Sequence, residues 1–287
     1  MNINISKMQS LDSGLYIVST PIGNLGDLTS RAEHVLIMAD YIICENPNHS
    51  LKLLNKLGIK KKLFSLHDYN EDILIKRIEN IQHTSSIALI SDAGSPLISD
   101  PGYNLVLSYI NKNIMITTVP GPSSIISALQ LSGLPIHNFK FYGFIPKNLK
   151  ASNTLLSEIK ISNTTSVMFV SGNRLLKFLK EINKESILRK ISVCKEITKK
   201  NENIFRGSAE KIIKMLSLDK KYLKGEFVIV IEGEKNKVEQ RLDAEIENQI
   251  KKLLKKYSLT EVVQIVHKLS NVSKKEIYKT ALLINND

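Results

Sequence analysis

The chain has 287 residues, 43% of them hydrophobic, and a formal net charge of +12. This length suits two compact domains, or one large domain with an appendage. Tryptophan is absent and aromatic residues make up 6% of the chain, which argues against a surface that binds single strands mainly by base stacking. Cys44 and Cys194 lie far apart in apolar runs, so neither a disulfide framework nor a metal site is predicted.

The positive charge is concentrated in one part of the chain. Residues 1–146 carry 11 basic and 11 acidic side chains, residues 147–225 carry 18 and 7, and residues 226–287 carry 11 and 10. This segregation predicts a surface that faces a polyanion, with a solvated face that serves only solubility as the alternative. No apolar run approaches the roughly 18 residues of a membrane span, and the N-terminus lacks a signal-peptide core. We expect a soluble cytoplasmic protein.

Strand, loop and helix patterns alternate through the first part of the chain. Apolar runs predict strands near 15–18 and at 40–44, 87–91 and 114–119, and helical spacing predicts helices at 32–39, 50–57, 69–81 and 103–112, with another after residue 124. This alternation is typical of a doubly wound α/β domain.

The same alternation continues into a second α/β domain. Strands are predicted at 139–144, 164–170, 191–196 and 226–231, helices at 172–183 and 208–218, and a linker or exposed loop at 144–150. From about 237 the pattern is helical only, with a charged helix to about 256. Two short helices follow at 259–269 and 274–285, and they resemble a helix-turn-helix. Such a pair either contacts nucleic acid or is simply a packing unit. The predicted domains are 12–122, 123–236 and 237–287.

Three loops rich in glycine and proline follow strands of the first domain, at 21–27, 92–102 and 120–124. Ligands of open parallel sheets bind beyond the carboxyl ends of the strands, so the three loops predict one shared crevice. The chain has no P-loop, no dinucleotide-binding glycine motif and no standard hydrolase signature. What remains is a crevice suited to a compact cofactor held by main-chain contacts.

Several ordered motifs of the chain carry a family resemblance. They include Pro21-Ile-Gly-Asn-Leu-Gly-Asp27, Ser91-Asp-Ala-Gly-Ser-Pro-Leu-Ile-Ser-Asp-Pro-Gly102, Val119-Pro-Gly-Pro-Ser123 and Gly143-Phe-Ile-Pro146. With these motifs the chain resembles the ribosomal RNA small subunit methyltransferase I family of the tetrapyrrole-methylase superfamily. The resemblance implies two α/β domains with a cleft between them that binds S-adenosylmethionine, and a helical C-terminal appendage. It also implies a homodimer that methylates the ribose 2′-hydroxyl of a cytidine in the decoding region of small-subunit (16S) rRNA.

The resemblance implies site residues by motif. The cofactor-lining candidates are Pro21, Gly23, Asp92, Ala93, Gly94, Pro120, Gly121, Pro122 and Ser123. Candidate proton acceptors lie at strand exits or in matching motifs and are Glu45, His67, Glu71 and Asp92; capping, structural hydrogen bonding and ion pairing are the alternatives. The predicted RNA phosphate contacts are Lys147, Lys150, Arg174, Lys199 and Arg206.

The chain departs from the family pattern in two places. Glu45-Asn-Pro-Asn-His49 stands where the family has an acidic-threonine-arginine-histidine run, and Val170-Ser-Gly-Asn-Arg174 keeps only the serine and arginine of a longer motif. Both changes concern substrate contacts more than the cofactor. Two rival functions follow: methylation of a small tetrapyrrole-like molecule on the same fold, or RNA binding in assembly without catalysis.

Overall fold

A computed structural model describes residues 10–185, 187–234, 244–270 and 272–286. The chain divides into two compact units, residues 1–233 and 234–287. The first unit contains two five-stranded sheets. The expected boundary between residues 236 and 237 lies outside the described residues, and the boundary at 122 stays a prediction.

The first sheet is entirely parallel, with strand order β3-β2-β4-β1-β5. Its strands are β1 Gly14–Val18, β2 Tyr41–Cys44, β3 Lys62–Ser65, β4 Ser86–Ile90 and β5 Ile116–Val119. Its helices are α1 Ser30–Met38, α2 Pro47–Lys56, α3 Glu71–Ile78 and α4 Tyr103–Asn111. Apolar cores cover both faces, and β4 is buried along its whole length, as expected of a central parallel strand.

The second sheet is mixed, with order β6-β7-β10-β8-β9. Its strands are β6 Phe139–Phe144, β7 Thr165–Ser171, β8 Ile191–Lys195, β9 Asn203–Gly207 and β10 Glu226–Ile231, and its helices are α5 Ser124–Ser132, α6 Leu149–Ile161, α7 Gly172–Lys184 and α8 Ala209–Ser217. Only β6 and β7 pair in parallel. Helix α5 follows the first sheet in sequence but packs on the second, because Ile125, Ala128 and Leu129 join the core of that sheet.

Three local predictions differ from the structure. The segment 144–150, predicted as a linker or exposed loop, is a loop only at residues 145–148, because β6 runs to Phe144 and α6 begins at Leu149. The sequence did not predict helix α6. The Asn148 side chain accepts a hydrogen bond from the Lys150 N–H (2.8 Å) and so caps that helix. Helix α3 is shorter than predicted, and no sequence pattern indicated β3 and β9. Both missed strands are short edge strands with exposed residues, which weakens their apolar pattern.

The C-terminal unit contains α9 Ala244–Leu254, α10 Leu259–Leu269 and α11 Lys274–Asn286. A small apolar core joins them, including Ile250, Val262, Val266 and Ile277. Ser258 and Glu261 form a capping box at the start of α10. The predicted bounds of the last two helices are thereby confirmed. Within the described ranges, no helix is long and apolar enough to cross a membrane.

Candidate active site

Three loops meet at the carboxyl edge of the first sheet. Thr20 and Gly94 exchange backbone hydrogen bonds of 2.8 and 3.0 Å, which join the loops after β1 and β4. The Ser95 hydroxyl lies 3.2 Å from Ser19 Oγ and donates to the Pro122 carbonyl (3.4 Å), which adds the loop after β5. Strands β4, β1 and β5 are neighbours, so the three glycine- and proline-rich loops form one surface.

The loop after β4 has an unusual backbone conformation. Gly94, Leu97 and Ser99 all have positive φ, at 83°, 73° and 69°. Positive φ costs roughly 1–3 kcal/mol at a residue other than glycine, and such strain is concentrated at binding and active sites. At Gly94 an added Cβ would lie 3.2 Å from Ile22 Cγ2. The loop therefore differs from an ordinary connecting turn in both strain and packing.

A cavity of about 310 Å³ lies between the two sheets, and we call it the interdomain cleft. The first sheet and its loops line one side with small and acidic residues, including Asp92, Ala93, Gly94, Ser99, Asp100 and Ser123. The other side is mostly apolar and includes Phe144, Phe169, Val170, Cys194, Ile197 and Val228. This volume falls within the range of small-molecule sites, roughly 300–1,000 Å³.

An ion-pair network borders the cleft on the side of the second sheet. Lys199 Nζ lies 3.1 Å from Glu196 Oε1 and 2.7 Å from Glu226 Oε2. Partial burial of Lys199 opposes its charge, but the hydrogen bonds to Glu226 and Glu196 outweigh that effect and raise the pKa of its ammonium group. Glu196 Oε1 also accepts the Glu226 N–H at 2.8 Å. The positive charge of Lys199 is thus neutralised within the protein.

A second cavity, of about 170 Å³, opens at the carboxyl edge of the first sheet, and we call it the edge pocket. Its lining includes Thr20, Pro21, Gly23, His49, Ser50, Lys52, Lys56, Ser91 and Asp92. Asp92 lines both cavities. Its Oδ1 atom is buried and has no hydrogen-bond partner within the described part of the chain. An unpaired buried carboxylate oxygen at the junction of two cavities is available to a ligand.

Four acidic residues cluster at this edge. Strands β3, β2 and β4 are adjacent, so Asp68, Glu45 and Asp92 follow neighbouring strands, and Asp100 comes from the loop after β4. Burial raises the pKa of Glu45, and repulsion from Asp100, Asp92 and Asp68 raises it further. Burial and the Asp92 charge raise the pKa of Asp100, while a hydrogen bond from Ser91 opposes the shift. Glu45 and Asp100 therefore hold a proton more tightly than isolated carboxylates do.

Three of the four predicted proton acceptors, Glu45, His67 and Glu71, line neither cavity. His67 is exposed, and its backbone N–H donates to Asn70 Oδ1 at 2.8 Å. Glu71 is 8% exposed, and its Oε1 accepts the Leu105 N–H at 2.8 Å in the first turn of α4. Neither residue lines the interdomain cleft or the edge pocket. Glu71 fixes the start of α4, which is a structural task.

The predicted cofactor-lining residues separate into three groups. Asp92, Ala93, Gly94 and Ser123 line the interdomain cleft, Pro21 and Gly23 line the edge pocket together with Asp92, and Pro120, Gly121 and Pro122 line neither. An added Cβ at Gly23 would lie 2.4 Å from Lys199 Cγ, and one at Gly121 would lie 3.0 Å from Ser19 Cβ. These two glycines allow close packing within the protein, and their contact with the cofactor stays a prediction.

Three of the five predicted RNA-contacting cations bind within the protein itself. Arg174 donates to Ser171 Oγ (3.2 Å) and to the Ile145 carbonyl. Arg206 donates through Nε to the Leu131 carbonyl (3.0 Å), and Lys199 pairs with two glutamates. Lys147 and Lys150 are exposed. Asp100, Lys52 and Lys56 border the cavities but were missed. The second aspartate of the Ser-Asp-Ala-Gly motif was the signal available for Asp100.

Comparison with known proteins identifies the family. The family model described as Tetrapyrrole (Corrin/Porphyrin) Methylases matches residues 14–213. The chain is 40% identical over 241 residues to Ribosomal RNA small subunit methyltransferase I of Halalkalibacterium halodurans, which covers 83% of each chain. It is 37% identical over 272 residues to the protein of that name from Vibrio cholerae, covering 93% of this chain and 94% of the other.

The chain belongs to the ribosomal RNA small subunit methyltransferase I family of the tetrapyrrole methylases. The family resemblance read from the motifs is confirmed. A solved structure of diphthine synthase shares the fold, with a TM-score of 0.58 and 14% identity, over 76% of this chain and 89% of that one. The predicted fold class, two α/β domains of the tetrapyrrole-methylase type with C-terminal helices, is also confirmed.

S-adenosylmethionine is the methyl donor of this family, and the residues around the interdomain cleft fit it. The carboxylates of Asp92 and Asp100 favour a cationic sulfonium. Apolar side chains such as Val228 and Ile125 suit the uncharged parts of such a molecule, and the small residues Ala93 and Gly94 leave room for it. The unpartnered Asp92 Oδ1 is the buried polar atom that a ligand would satisfy.

Proposed function

We propose that this methyltransferase modifies the ribose 2′-hydroxyl of a cytidine in the decoding region of small-subunit (16S) rRNA. The observation that carries the proposal is the position of Asp92, which lines the interdomain cleft and the edge pocket at once. A methyl donor in the first cavity and a ribose in the second would meet at this residue. The names of the relatives, which are ribosomal RNA small subunit methyltransferases, support RNA as the substrate.

When bound, S-adenosylmethionine supplies an electrophilic methyl group on a positively charged sulfur. The protein has to orient the attacking oxygen in line with that group, and orientation of reactants is a large contribution to catalysis. The hydrogen bonds between the loops after β1, β4 and β5 hold the lining residues Gly94 and Ser123 in place. Asp92 and Asp100 provide negative charge beside the donor.

The ribose 2′-hydroxyl is a weak nucleophile, so it needs a group that takes its proton. Asp92 Oδ1 is the first candidate, because it is buried at the junction of the cavities with no partner among the described residues. Glu45 lines neither cavity. It is the second candidate because it follows the strand next to that of Asp92, and because burial and repulsion from Asp100 and Asp92 raise its pKa. His67 is exposed and Glu71 accepts the Leu105 N–H, so neither is included in this proposal.

A methylation assay tests the proposal. The enzyme is incubated with labelled S-adenosylmethionine and small ribosomal subunits that lack the modification, and the digested rRNA is analysed by mass spectrometry. We expect 2′-O-methylcytidine with wild-type enzyme and strongly reduced product with Asp92→Asn. A methyl group on a base would contradict ribose as the acceptor.

The same assay separates the two rivals. Transfer to a tetrapyrrole without transfer to subunits would establish a small-molecule methylase. Binding of both S-adenosylmethionine and subunits, with no transfer to either substrate, would establish a non-catalytic assembly protein. The predicted homodimer is measured on the same preparation by light scattering.

A further inference from the structure

We propose that Lys52, Lys56 and His49 of helix α2 form a phosphate-binding surface for the RNA strand that presents the reacting ribose. The inference rests on the proposed function, because the bound polyanion is taken to be the RNA substrate. It places RNA contacts on the first domain, whereas the sequence had directed them to the basic second domain. The ligand it recognises is the phosphodiester next to the target nucleotide.

The three side chains lie on one face of α2. Positions 49, 52 and 56 are separated by three and four residues, so they project from the same side of the helix. All three line the edge pocket, and all three are exposed. The sequence of α2, Pro-Asn-His-Ser-Leu-Lys-Leu-Leu-Asn-Lys, contains no acidic residue. This face therefore carries uncompensated positive charge.

The lysines of this face are free to bind a ligand. Within the part of the chain that the structure describes, neither Lys52 nor Lys56 forms an ion pair, in contrast to Lys199 at the interdomain cleft. Among the described residues that line the pocket, the only acidic side chain is that of Asp92. At the start of the helix, Asn46 accepts the N–H groups of Asn48 and His49. The amides at the start of the helix are therefore already hydrogen-bonded, and an anion would be bound by side chains.

The buried Ser50 hydroxyl gives a second indication of a ligand in this pocket. Ser50 is 3% exposed, lines the edge pocket, and has no hydrogen-bond partner of standard geometry among the described residues. It does lie close enough to the Cys44 thiol to favour the thiolate, although burial outweighs this effect and raises the pKa of Cys44. A hydroxyl that lines the same pocket as two lysines is a suitable donor to a phosphate oxygen.

The chemistry of RNA links this surface to the reacting group. The 2′-oxygen and the 3′-phosphate belong to the same ribose, so a site that holds a 2′-hydroxyl at Asp92 must also accommodate a phosphate nearby. The edge pocket contains Asp92 and both free lysines. Lys52 and Lys56 supply positive charge one and two helical turns beyond Glu45-Asn-Pro-Asn-His49.

Charge reversal tests the surface. We would compare Lys52→Glu/Lys56→Glu with a matched control, Lys177→Glu/Lys180→Glu, which changes two exposed lysines of α7 outside both cavities. Binding of a labelled single-stranded RNA oligonucleotide that carries the target sequence is measured by fluorescence anisotropy at several salt concentrations. S-adenosylmethionine binding is measured by calorimetry as a check on folding and on the interdomain cleft.

The α2 variant should bind the oligonucleotide about tenfold more weakly than wild type, and the control should change little. The slope of log K against log salt should fall by about 0.7 for each phosphate that the protein no longer neutralises. Affinity for S-adenosylmethionine should not change in either variant. The neutral variant Lys52→Gln/Lys56→Gln should reproduce the smaller slope, which separates removal of positive charge from new repulsion.

Two results would overturn the inference. If the α2 variant binds RNA as tightly as wild type, the phosphate is bound elsewhere. If the α7 control loses as much affinity as the α2 variant, the loss reflects the lower net charge of the protein and no specific phosphate site. These results are independent of the proposed function, because binding is measured without methyl transfer. If the wild-type protein binds RNA through Lys52 and Lys56 but methylates no subunit, the proposed function is overturned and the phosphate-binding surface stands.

Discussion

The two sheets that border the interdomain cleft contribute different chemistry. The parallel sheet supplies Asp92 and Asp100 to the cleft, and Glu45 follows a neighbouring strand at the same edge. None of the three forms an ion pair within the described residues. The mixed sheet supplies apolar side chains and the charge of Lys199, which two glutamates neutralise. Unpaired charges therefore lie on the first sheet and paired charges on the second. Under the proposed function, proton transfer would therefore belong to the first sheet, while the second sheet shapes the cleft.

The comparison also changes how the charge of the chain is interpreted. Residues 147–225 hold the basic excess, yet Arg174, Lys199 and Arg206 bind protein groups. The electrically neutral first part provides the unpaired lysines of the edge pocket. Net charge over a segment describes its long-range field, whereas a binding surface depends on which side chains lack a partner.

The largest expected effect is the loss of methyl transfer in Asp92→Asn. Removal of a proton acceptor typically costs about 100- to 10,000-fold in rate, and we expect a loss in this range in single-turnover assays at saturating S-adenosylmethionine. The matched control is Asp68→Asn, which removes an exposed carboxylate at the same edge of the sheet. A near-normal rate for Asp92→Asn would move the role of proton acceptor to Glu45.

A large loss of stability is expected for Gly172→Ala at the start of α7. An added Cβ would lie 1.6 Å from the carbonyl oxygen of Leu223, so backbone has to move. We expect the free energy of unfolding to fall by about 3 kcal/mol, as for severe overpacking, in urea titrations. Gly26→Ala is the control, because its nearest contact is Asn24 Oδ1 at 3.3 Å. Equal stability of the two variants would contradict this account, because it would mean that the Leu223 backbone moves away from the added methyl group at little cost.

A smaller change in stability, with no change in chemistry, is expected for Glu71→Ala. The buried carboxylate accepts the Leu105 N–H, and losing a hydrogen bond to a charged group costs about 1.5–3 kcal/mol. The rate per folded molecule should match wild type, and Glu71→Gln should restore most of the stability. If methyl transfer is slow in both Glu71→Ala and Glu71→Gln, Glu71 takes part in catalysis.

The smallest effect is a gain in thermal stability for Glu45→Gln. The pKa of Glu45 is raised in the fold by burial and by its acidic neighbours, so ionised Glu45 destabilises the native state at neutral pH. The variant removes this cost and should melt about 2 °C higher at pH 7. As pH falls through the raised pKa the native carboxyl binds a proton first, and below the ordinary glutamate pKa the difference should vanish. If calorimetry shows the same difference in melting temperature between variant and wild type at every pH in this range, repulsion is not the cause.

The sequence predicts most of the central elements and the sheet edge at which the candidate site lies. Strands β1, β4 and β10 are apolar runs, and the three glycine- and proline-rich loops mark the edge where ligands bind parallel sheets. The edge strands β3 and β9 were missed because solvent-exposed residues interrupt their apolar pattern. Without β3, the adjacency of Asp68, Glu45 and Asp92 could not be predicted.

The remaining differences between prediction and structure concern which groups each side chain contacts in the folded chain. The carbonyl that holds Arg206 lies 75 residues away in sequence, and Gly23 packs on Lys199 of the second domain. Such contacts depend on how the two sheets face each other, which local patterns do not specify. Ion pairing and close packing therefore follow from the tertiary structure, even where the sequence indicates the residue types.

The most direct test of the account is a structure of the enzyme on an unmodified small ribosomal subunit, determined by cryo-electron microscopy with S-adenosylhomocysteine. We predict the product cofactor in the interdomain cleft, the target 2′-oxygen within hydrogen-bond reach of Asp92 Oδ1, and an RNA phosphate beside Lys52 and Lys56. A ribose that reaches the cofactor from the side of the second sheet, away from Asp92 and the edge pocket, would contradict it.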